Sequence, residues 1–125
     1  MSSINIKDPG ARLLPSGRTL HIETLNLTSF QTIIFIHGLG ASSSTFGSII
    51  ESSGIADDFN IITYDQEGFG LSSKTSQGEI TIDKYVEDVR DILISSGVER
   101  AGVVAHSMGG VRTAQHFRRM GSFVG

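Results

Sequence analysis

The stretch Ala101-Gly102-Val103-Val104-Ala105-His106-Ser107-Met108-Gly109-Gly110 decides the fold of this chain. Its first residues form a short apolar run typical of a buried strand, and the residues after Ser107 are compatible with a helix. The serine between them would lie on a sharp strand-to-helix turn that projects its hydroxyl from the sheet, an arrangement known as a nucleophile elbow. Such a turn brings the positions two before and two after the serine together, so both must be small. Here they are Ala105 and Gly109.

Two earlier segments follow the same strand-and-turn order. The run Thr32-Ile33-Ile34-Phe35-Ile36 leads into His37-Gly38-Leu39-Gly40, a turn without bulky side chains. The backbone N–H groups of such a turn are free to point at a ligand oxygen, as an oxyanion hole requires. The hydroxyls of Ser42 to Thr45 are predicted to cap a helix over 44–53. Another strand is predicted over 59–65, and a glycine-rich exit follows it over 66–72.

The rest of the chain completes an alternation of strands and helices. A helix is predicted over 81–96, with Thr81 as its N-cap and Gly97 just after its end. Its apolar face is made by residues at helical spacing: Ile82, Tyr85, Val86, Val89, Ile92 and Leu93. A further helix is expected over 108–120, and an antiparallel strand or hairpin over 18–27, turning at Gly17. This order predicts a mostly parallel sheet with flanking helices, which is the α/β class.

Taken together, the three segments resemble the α/β-hydrolase superfamily, and most closely its serine esterase and lactonase branch, which includes 3-oxoadipate enol-lactonases. The resemblance covers about residues 17–120. It implies one partial α/β-hydrolase domain over 1–125, corresponding to the N-terminal portion of that fold. It further implies a small-molecule carboxylic ester or lactone as substrate, with no cofactor and no metal.

The resemblance also implies roles for individual residues. Ser107 would be the nucleophile, and the backbone amides of Leu39 and Met108 would form the oxyanion hole. His37, Gly38 and Gly40 would shape the first turn, and Ala105, His106 and Gly109 the turn around the serine. Two positions depart from the family pattern, because Ala105 replaces the first glycine of the elbow and Glu67 stands where such sequences commonly carry Arg. Relatives that open epoxides or haloalkanes carry Asp at the position of Ser107, so that chemistry is disfavoured.

The acid and the histidine of a catalytic triad are not visible after the serine. In this family both follow the nucleophile, in chains about twice as long. Here eighteen residues follow Ser107 and none of them is Asp or Glu. His116 lies nine residues into the predicted helix, too far along it to reach the hydroxyl. The expectation is therefore a truncated chain, and a catalytically inactive hydrolase-fold fragment is the alternative to an active enzyme.

The remaining polar candidates have simpler interpretations. His37 is expected to be a hydrogen bonder within its turn and not a base, and His21 a surface or edge-strand residue. His106 occupies the variable position of the elbow, where a side chain usually packs near the strand end. Asp65 precedes the nucleophile in the chain and is expected to brace the glycine-rich turn that follows it.

A second class of function imitates part of this pattern. Gly38-Leu39-Gly40 between a strand and a helix, with Asp65 ending the next strand, resembles the order of a dinucleotide-binding fingerprint. The third small position, however, falls on Ser43, and this interpretation leaves the turn at Ser107 unexplained. It remains the less favoured alternative.

Composition limits the number of domains and the classes of function that the chain can have. The chain has 125 residues, 38% of them hydrophobic, which fits one domain, and its net charge of −3 comes without a basic stripe. Nucleic acid is therefore not expected as a partner. The absence of cysteine excludes disulfides and thiol catalysis. Neither a signal peptide nor an apolar run long enough to span a membrane is apparent, so a cytoplasmic protein without a membrane partner is expected. The sequence does not determine the oligomeric state.

Overall fold

Five strands form one mixed sheet in the order β1-β2-β4-β3-β5. The computed structural model of the chain describes residues 6–25, 29, 31–38, 42–72 and 81–119. The strands are β1 (Ile6–Leu13), β2 (Thr19–Leu25), β3 (Thr32–Ile36), β4 (Asn60–Tyr64) and β5 (Gly102–Ala105). The helices are α1 (Gly47–Ser53), α2 (Ile82–Ser95) and α3 (Ser107–Arg119), with short 3₁₀ turns at Ser43–Phe46 and Ile55–Asp57. The predicted α/β class is confirmed.

The sheet begins with an antiparallel hairpin. β1 pairs with β2, and the turn between them is closed by the amide of Gly17, which donates to the carbonyl of Leu14. The sequence predicted this turn but missed β1, because Pro9 and Gly10 interrupt the apolar pattern. The structure accommodates them with a register shift between Lys7 and Gly10. His21 consequently lies on an inner strand and not on the sheet edge, which corrects the edge-strand interpretation.

The three remaining strands run parallel and carry the apolar core. β3 pairs with β4 on one side and with β5 on the other. Side chains alternate between the two faces of the sheet. Ile34, Ile36, Ile62 and Tyr64 pack with α2 and α3 in the larger core cluster. Phe35 and Ile61 lie in the second cluster, on the side of α1. β3 is therefore held on both faces and on both edges, which makes the position of its carboxyl end rigid.

The helix predicted over 44–53 is shorter than expected and begins later in the chain. Residues 43–46 form a 3₁₀ turn, and α1 begins only at Gly47. No side-chain hydroxyl caps either element; Ser42 and Ser44 bond each other instead, at 2.7 Å. α2, by contrast, starts as predicted, because the Thr81 side chain accepts a hydrogen bond from the Lys84 amide. Gly97 follows the last turn in the left-handed conformation, at φ +73°.

β5 lies at the end of the sheet order, paired with β3 alone among the strands that the structure describes. Its side chains are only partly covered, and Val104 is 40% exposed. α3 leaves this strand after a single connecting residue, His106. The strand-to-helix turn expected from the sequence therefore exists, at the edge of the described sheet.

Candidate active site

Ser107 occupies a strained backbone position between β5 and α3. Its φ of +61° makes it the one non-glycine residue with positive φ among those described. L-residues avoid this region because the Cβ atom crowds the backbone, at a typical cost of about 1–3 kcal/mol. The serine is exposed. Its conformation turns the chain sharply out of β5 and into the helix.

The end of β3 approaches this turn so closely that only a glycine fits there. A Cβ atom placed on Gly38 would lie 2.0 Å from the Ser107 Oγ atom and 2.9 Å from its Cβ atom. The His106 amide donates to the Ile36 carbonyl at 3.0 Å, which fixes the two strand ends side by side. Gly38, which begins the first glycine turn, and Ser107 therefore meet at the carboxyl ends of their strands.

A second close approach was missed by the sequence analysis. A Cβ atom on Gly110 would lie 2.9 Å from the Ile36 carbonyl oxygen and 3.1 Å from the His37 carbonyl oxygen. The first turn of α3 therefore packs directly on the backbone at the end of β3. The consecutive glycines Gly109-Gly110 are the only signal in the sequence for this contact. The elbow pattern itself requires small residues only at Ala105 and Gly109.

His37 is buried and both of its ring nitrogens have partners. Nε2 accepts the backbone N–H of Gln66 at 2.8 Å, and Nδ1 lies 2.7 Å from the Gly38 carbonyl oxygen, to which it can only donate. The ring is therefore the neutral tautomer protonated at Nδ1. Burial lowers the pKa of His37, and the hydrogen bond to Gly38 and the charge of Asp65 oppose this shift only in part. Both ring nitrogens of His37 are thus engaged in hydrogen bonds at the end of β3.

Asp65 braces the glycine-rich turn after β4, as expected. Its Oδ2 atom accepts the amide of Leu71 at 2.9 Å, and its Oδ1 atom accepts the amide of Ser43 at 2.7 Å. Burial acts to raise the pKa of Asp65. The hydrogen bonds from Ser43 and Leu71 outweigh it, so the pKa of Asp65 lies below its usual value. The carboxylate is therefore charged at neutral pH.

The other three histidines make contacts away from the serine hydroxyl. His106 is exposed and packs edge-on against Phe46, with ring centroids 6.4 Å apart. His116 lies 3.6 Å from the Asp83 carboxylate on α2, and His21 lies 3.3 Å from Glu23 on its own strand. Among the described contacts, none of the four histidines is hydrogen-bonded to Ser107.

The remaining predicted site residues are distributed as follows. Ala105 ends β5, and Met108 and Gly109 belong to the first turn of α3. Leu39 and Gly40 lie outside the described residues, so the oxyanion amide of Leu39 stays a prediction. A cavity of about 630 Å³ lies elsewhere, between β2, β4 and α1, with His21, Glu23 and Thr63 in its wall.

The described residues contain no group of three or more side chains suited to hold a metal ion. Across the same part of the chain, every helix is too short or too polar to cross a membrane.

Comparison with known proteins agrees with this geometry. Residues 31–116 match the family model described as the alpha/beta hydrolase fold. The uncharacterized protein YqjL of Bacillus subtilis is 34% identical over 98 residues, which cover 78% of this chain and 38% of YqjL. A putative carbamate hydrolase, RutD of Escherichia coli, is 29% identical over 77 residues, which cover 62% of this chain and 28% of RutD.

A solved structure extends the similarity to most of the chain. The epoxide hydrolase of Bacillus megaterium superposes with a TM-score of 0.78 at 26% identity, covering 91% of this chain and 39% of that one. The chain thus spans less than half the length of each of these relatives.

Proposed function

Because the chain belongs to the α/β-hydrolase fold family, we propose that it is part of a serine hydrolase in which Ser107 is the nucleophile. The observation that carries the proposal is the positive φ of Ser107 at a strand-to-helix turn, with the Gly38 backbone against its hydroxyl. A folded protein retains such strain where the surrounding structure imposes it, and functional sites are where it concentrates. The exposed hydroxyl is then presented at the edge where α/β sheets bind ligands.

The proposed reaction is acyl transfer from a carboxylic ester or a lactone. The Ser107 Oγ atom would bond to the carbonyl carbon while a general base takes its proton. The ester C–O bond would then break, with the base giving that proton to the departing alcohol oxygen, to leave an acyl-enzyme. Water would hydrolyse that intermediate and regenerate the serine. The amides of Leu39 and Met108 are the proposed donors to the oxyanion, and the amino-terminal end of α3 favours negative charge there. Removing one such donor typically lowers the rate about 10²–10³-fold.

In this proposal none of the four histidines is the general base, because no contact among the described residues joins one of them to Ser107. His37 uses both ring nitrogens within the fold, and His116 contacts the exposed Asp83 in the first turn of α2. A serine hydroxyl without an adjacent base is a weak nucleophile at neutral pH. Taken alone, the chain is therefore expected to retain at most the contribution of its oxyanion donors and of substrate binding, about 10³–10⁴-fold over water. This expectation also covers the alternative of a catalytically inactive hydrolase-fold fragment.

The chemistry of position 107 separates this proposal from the activity named for one structural relative. The Bacillus megaterium protein is an epoxide hydrolase, whereas Ser107 offers a hydroxyl and not the carboxylate expected of relatives that open epoxides. The carbamate hydrolase activity named for RutD is compatible with the same nucleophile, because a carbamate also presents a carbonyl carbon. Esters and lactones remain the proposed substrates, and carbamates belong in the test.

The direct test is turnover by the purified chain. We expect p-nitrophenyl acetate or butyrate to be hydrolysed slowly, with the rate above background abolished in Ser107→Ala. Ser52→Ala, which changes an exposed serine on α1, is the matched control and should behave as the parent. Turnover that persists in Ser107→Ala would contradict the proposal. Thermal stabilisation by a nicotinamide cofactor would instead support the dinucleotide-binding alternative.

A further inference from the structure

The segment between β3 and the Ser43–Phe46 turn is fastened at both of its ends by the residues that follow β4. At the first end, His37 is held twice by Gln66. The Gln66 backbone N–H donates to His37 Nε2 at 2.8 Å, and the Gln66 side-chain amide donates to the His37 carbonyl oxygen at 2.5 Å. At the second end, Asp65 Oδ1 accepts the Ser43 amide at 2.7 Å.

Three of the side chains that make these contacts are buried, and the contacts are themselves supported. Gln66 and His37 are fully buried, and Asp65 is 2% exposed. The other oxygen of Asp65 accepts the Leu71 amide, and the Ser72 hydroxyl donates to the Asp65 carbonyl oxygen at 2.6 Å. The Ser72 hydroxyl also accepts the amide of His21, which ties the turn to β2. Hydrogen bonds to a charged, buried acceptor are among the strong ones, so this arrangement resists displacement.

We propose that Asp65 and Gln66 are positioning residues, which clamp the two described ends of the β3-to-Ser43 segment, at His37 and at Ser43, and so hold the Gly38 backbone against Ser107. The clamp acts on Gly38, whose backbone lies against the Ser107 hydroxyl, through the adjacent His37. Its importance for catalysis rests on the proposed function, because that function takes an oxyanion donor from the clamped segment. A displacement of about 1 Å in such a donor is enough to cost about 100-fold in rate.

Position 43 offers a way to open the clamp without touching Asp65. Ser43→Pro removes the amide donor but suits the backbone, because Ser42 before it is extended at φ −157° and ψ 175° and proline is tolerated at the first position of a helical turn. Ser43→Ala is the matched control that keeps the amide. Asp65→Asn is the complementary variant, since its amide group can accept at one atom only. Asp57→Asn, at an exposed residue, controls for the change in charge.

The experiment is residue-resolved amide hydrogen exchange on the 125-residue chain, with fluorophosphonate labelling of Ser107 as a second measurement. In Asp65→Asn we expect exchange at Ser43 and Leu71 to accelerate about tenfold to a hundredfold, while β3 and α2 change less than about twofold. In Ser43→Pro the same selective acceleration is expected over 38–42. The Ser43 and Leu71 amide proton shifts should titrate together at the lowered pKa of Asp65 and stop doing so in Asp65→Asn.

Two results would overturn the clamp. One is unchanged exchange near Gly38 in both Ser43→Pro and Asp65→Asn. The other is equal acceleration throughout the sheet, which would show that Asp65 and Gln66 merely stabilise the fold. Failure of the proposed function is a separate outcome, because it would appear as absent labelling of Ser107 in the parent while the exchange pattern stayed as expected. Slower labelling of Ser107 in Ser43→Pro than in Ser43→Ala would show that the clamp supports the reactivity of Ser107.

Discussion

At the scale of single residues, the candidate site is defined by the backbone conformation of Ser107 and by the missing side chain of Gly38. Ser107 adopts a left-handed conformation that its Cβ atom disfavours, and Gly38 has no Cβ atom where one would overlap the serine hydroxyl. Together, these two features place the Ser107 hydroxyl next to the backbone of Gly38.

The strain at Ser107 makes a stability prediction. Replacing Ser107 with Gly should raise the free energy of unfolding by about 1 kcal/mol, because glycine adopts a positive φ without steric cost. Ser107→Ala keeps the Cβ atom and so keeps the strain, which makes it the matched control. Urea unfolding followed by circular dichroism would measure both. A Ser107→Gly variant no more stable than Ser107→Ala would mean that the position is not strained.

At the scale of secondary-structure elements, α3 depends on its contact with the backbone of β3. Gly110 lies one turn into the helix, where alanine would ordinarily be preferred by up to about 1 kcal/mol. The contact with the Ile36 and His37 carbonyl oxygens reverses that preference, because any side chain at this position pushes the helix off the strand.

Gly110→Ala should therefore destabilise the chain by about 1–3 kcal/mol, the usual cost of overpacking. Gly47→Ala is the control, since a Cβ atom there meets nothing within 4 Å. The midpoint of thermal unfolding should fall for the first variant and stay or rise for the second. Equal midpoints would show that α3 does not lie as close to β3 as described.

The sequence predicted these elements well where a periodic pattern met a clear end signal. α2 shows this, because its apolar face, its Thr81 cap and its Gly97 end all agree with the structure. β1 was missed because Pro9 and Gly10 disguise it, and the helix after β3 was misplaced at its start. The clamp by Asp65 and Gln66 was beyond reach, since Gln66 and His37 are 29 positions apart in sequence. Local patterns predict elements, but long-range hydrogen bonds emerge only once the sheet is assembled.

At the scale of the whole molecule, one buried charge cluster joins the hairpin, β4 and α2. Arg18 lies between β1 and β2, and its Nε atom donates to Asp88 Oδ1 on α2 at 2.6 Å. It lies 3.9 Å from Glu67, which is fully buried after β4, and it also pairs with Glu87. Arg18 thus supplies a cation beside Glu67. Glu67 itself stands at the sequence position where the family resemblance leads us to expect Arg. Among the contacts of the described residues, the Arg18 guanidinium faces the carboxylates of Glu67, Glu87 and Asp88.

The burial of Asp88 gives the stability of the fold an unusual pH dependence. Burial raises the pKa of Asp88 to about 6; Arg18 opposes the shift, and Glu67 and Asp91 add to it. Since the folded-state pKa of Asp88 exceeds its ordinary value of 3.8, protonation favours the folded state, and this stability is lost as the pH rises from about 4 through 6. The loss should amount to about 2–3 kcal/mol.

Urea unfolding at several pH values would measure this contribution. As the pH rises over this range, the free energy of unfolding should fall less in Asp88→Asn than in the parent. Asp58→Asn, at an exposed position, should follow the parent. A parent whose stability rises steadily from pH 4 to 7, with Asp88→Asn parallel to it, would show that the cluster holds Asp88 charged without cost.

The central claim is that Ser107 is the reactive serine of this fold, and the site of fluorophosphonate attachment tests it most directly. The purified chain would be labelled at neutral pH, digested, and every serine-containing peptide quantified by mass spectrometry. The account predicts label on Ser107 above all other serines, and none of that signal in Ser107→Ala, although the rate will be slow without a neighbouring base. Equal labelling of Ser107 and exposed serines such as Ser52, or preferential labelling of another serine, would contradict it.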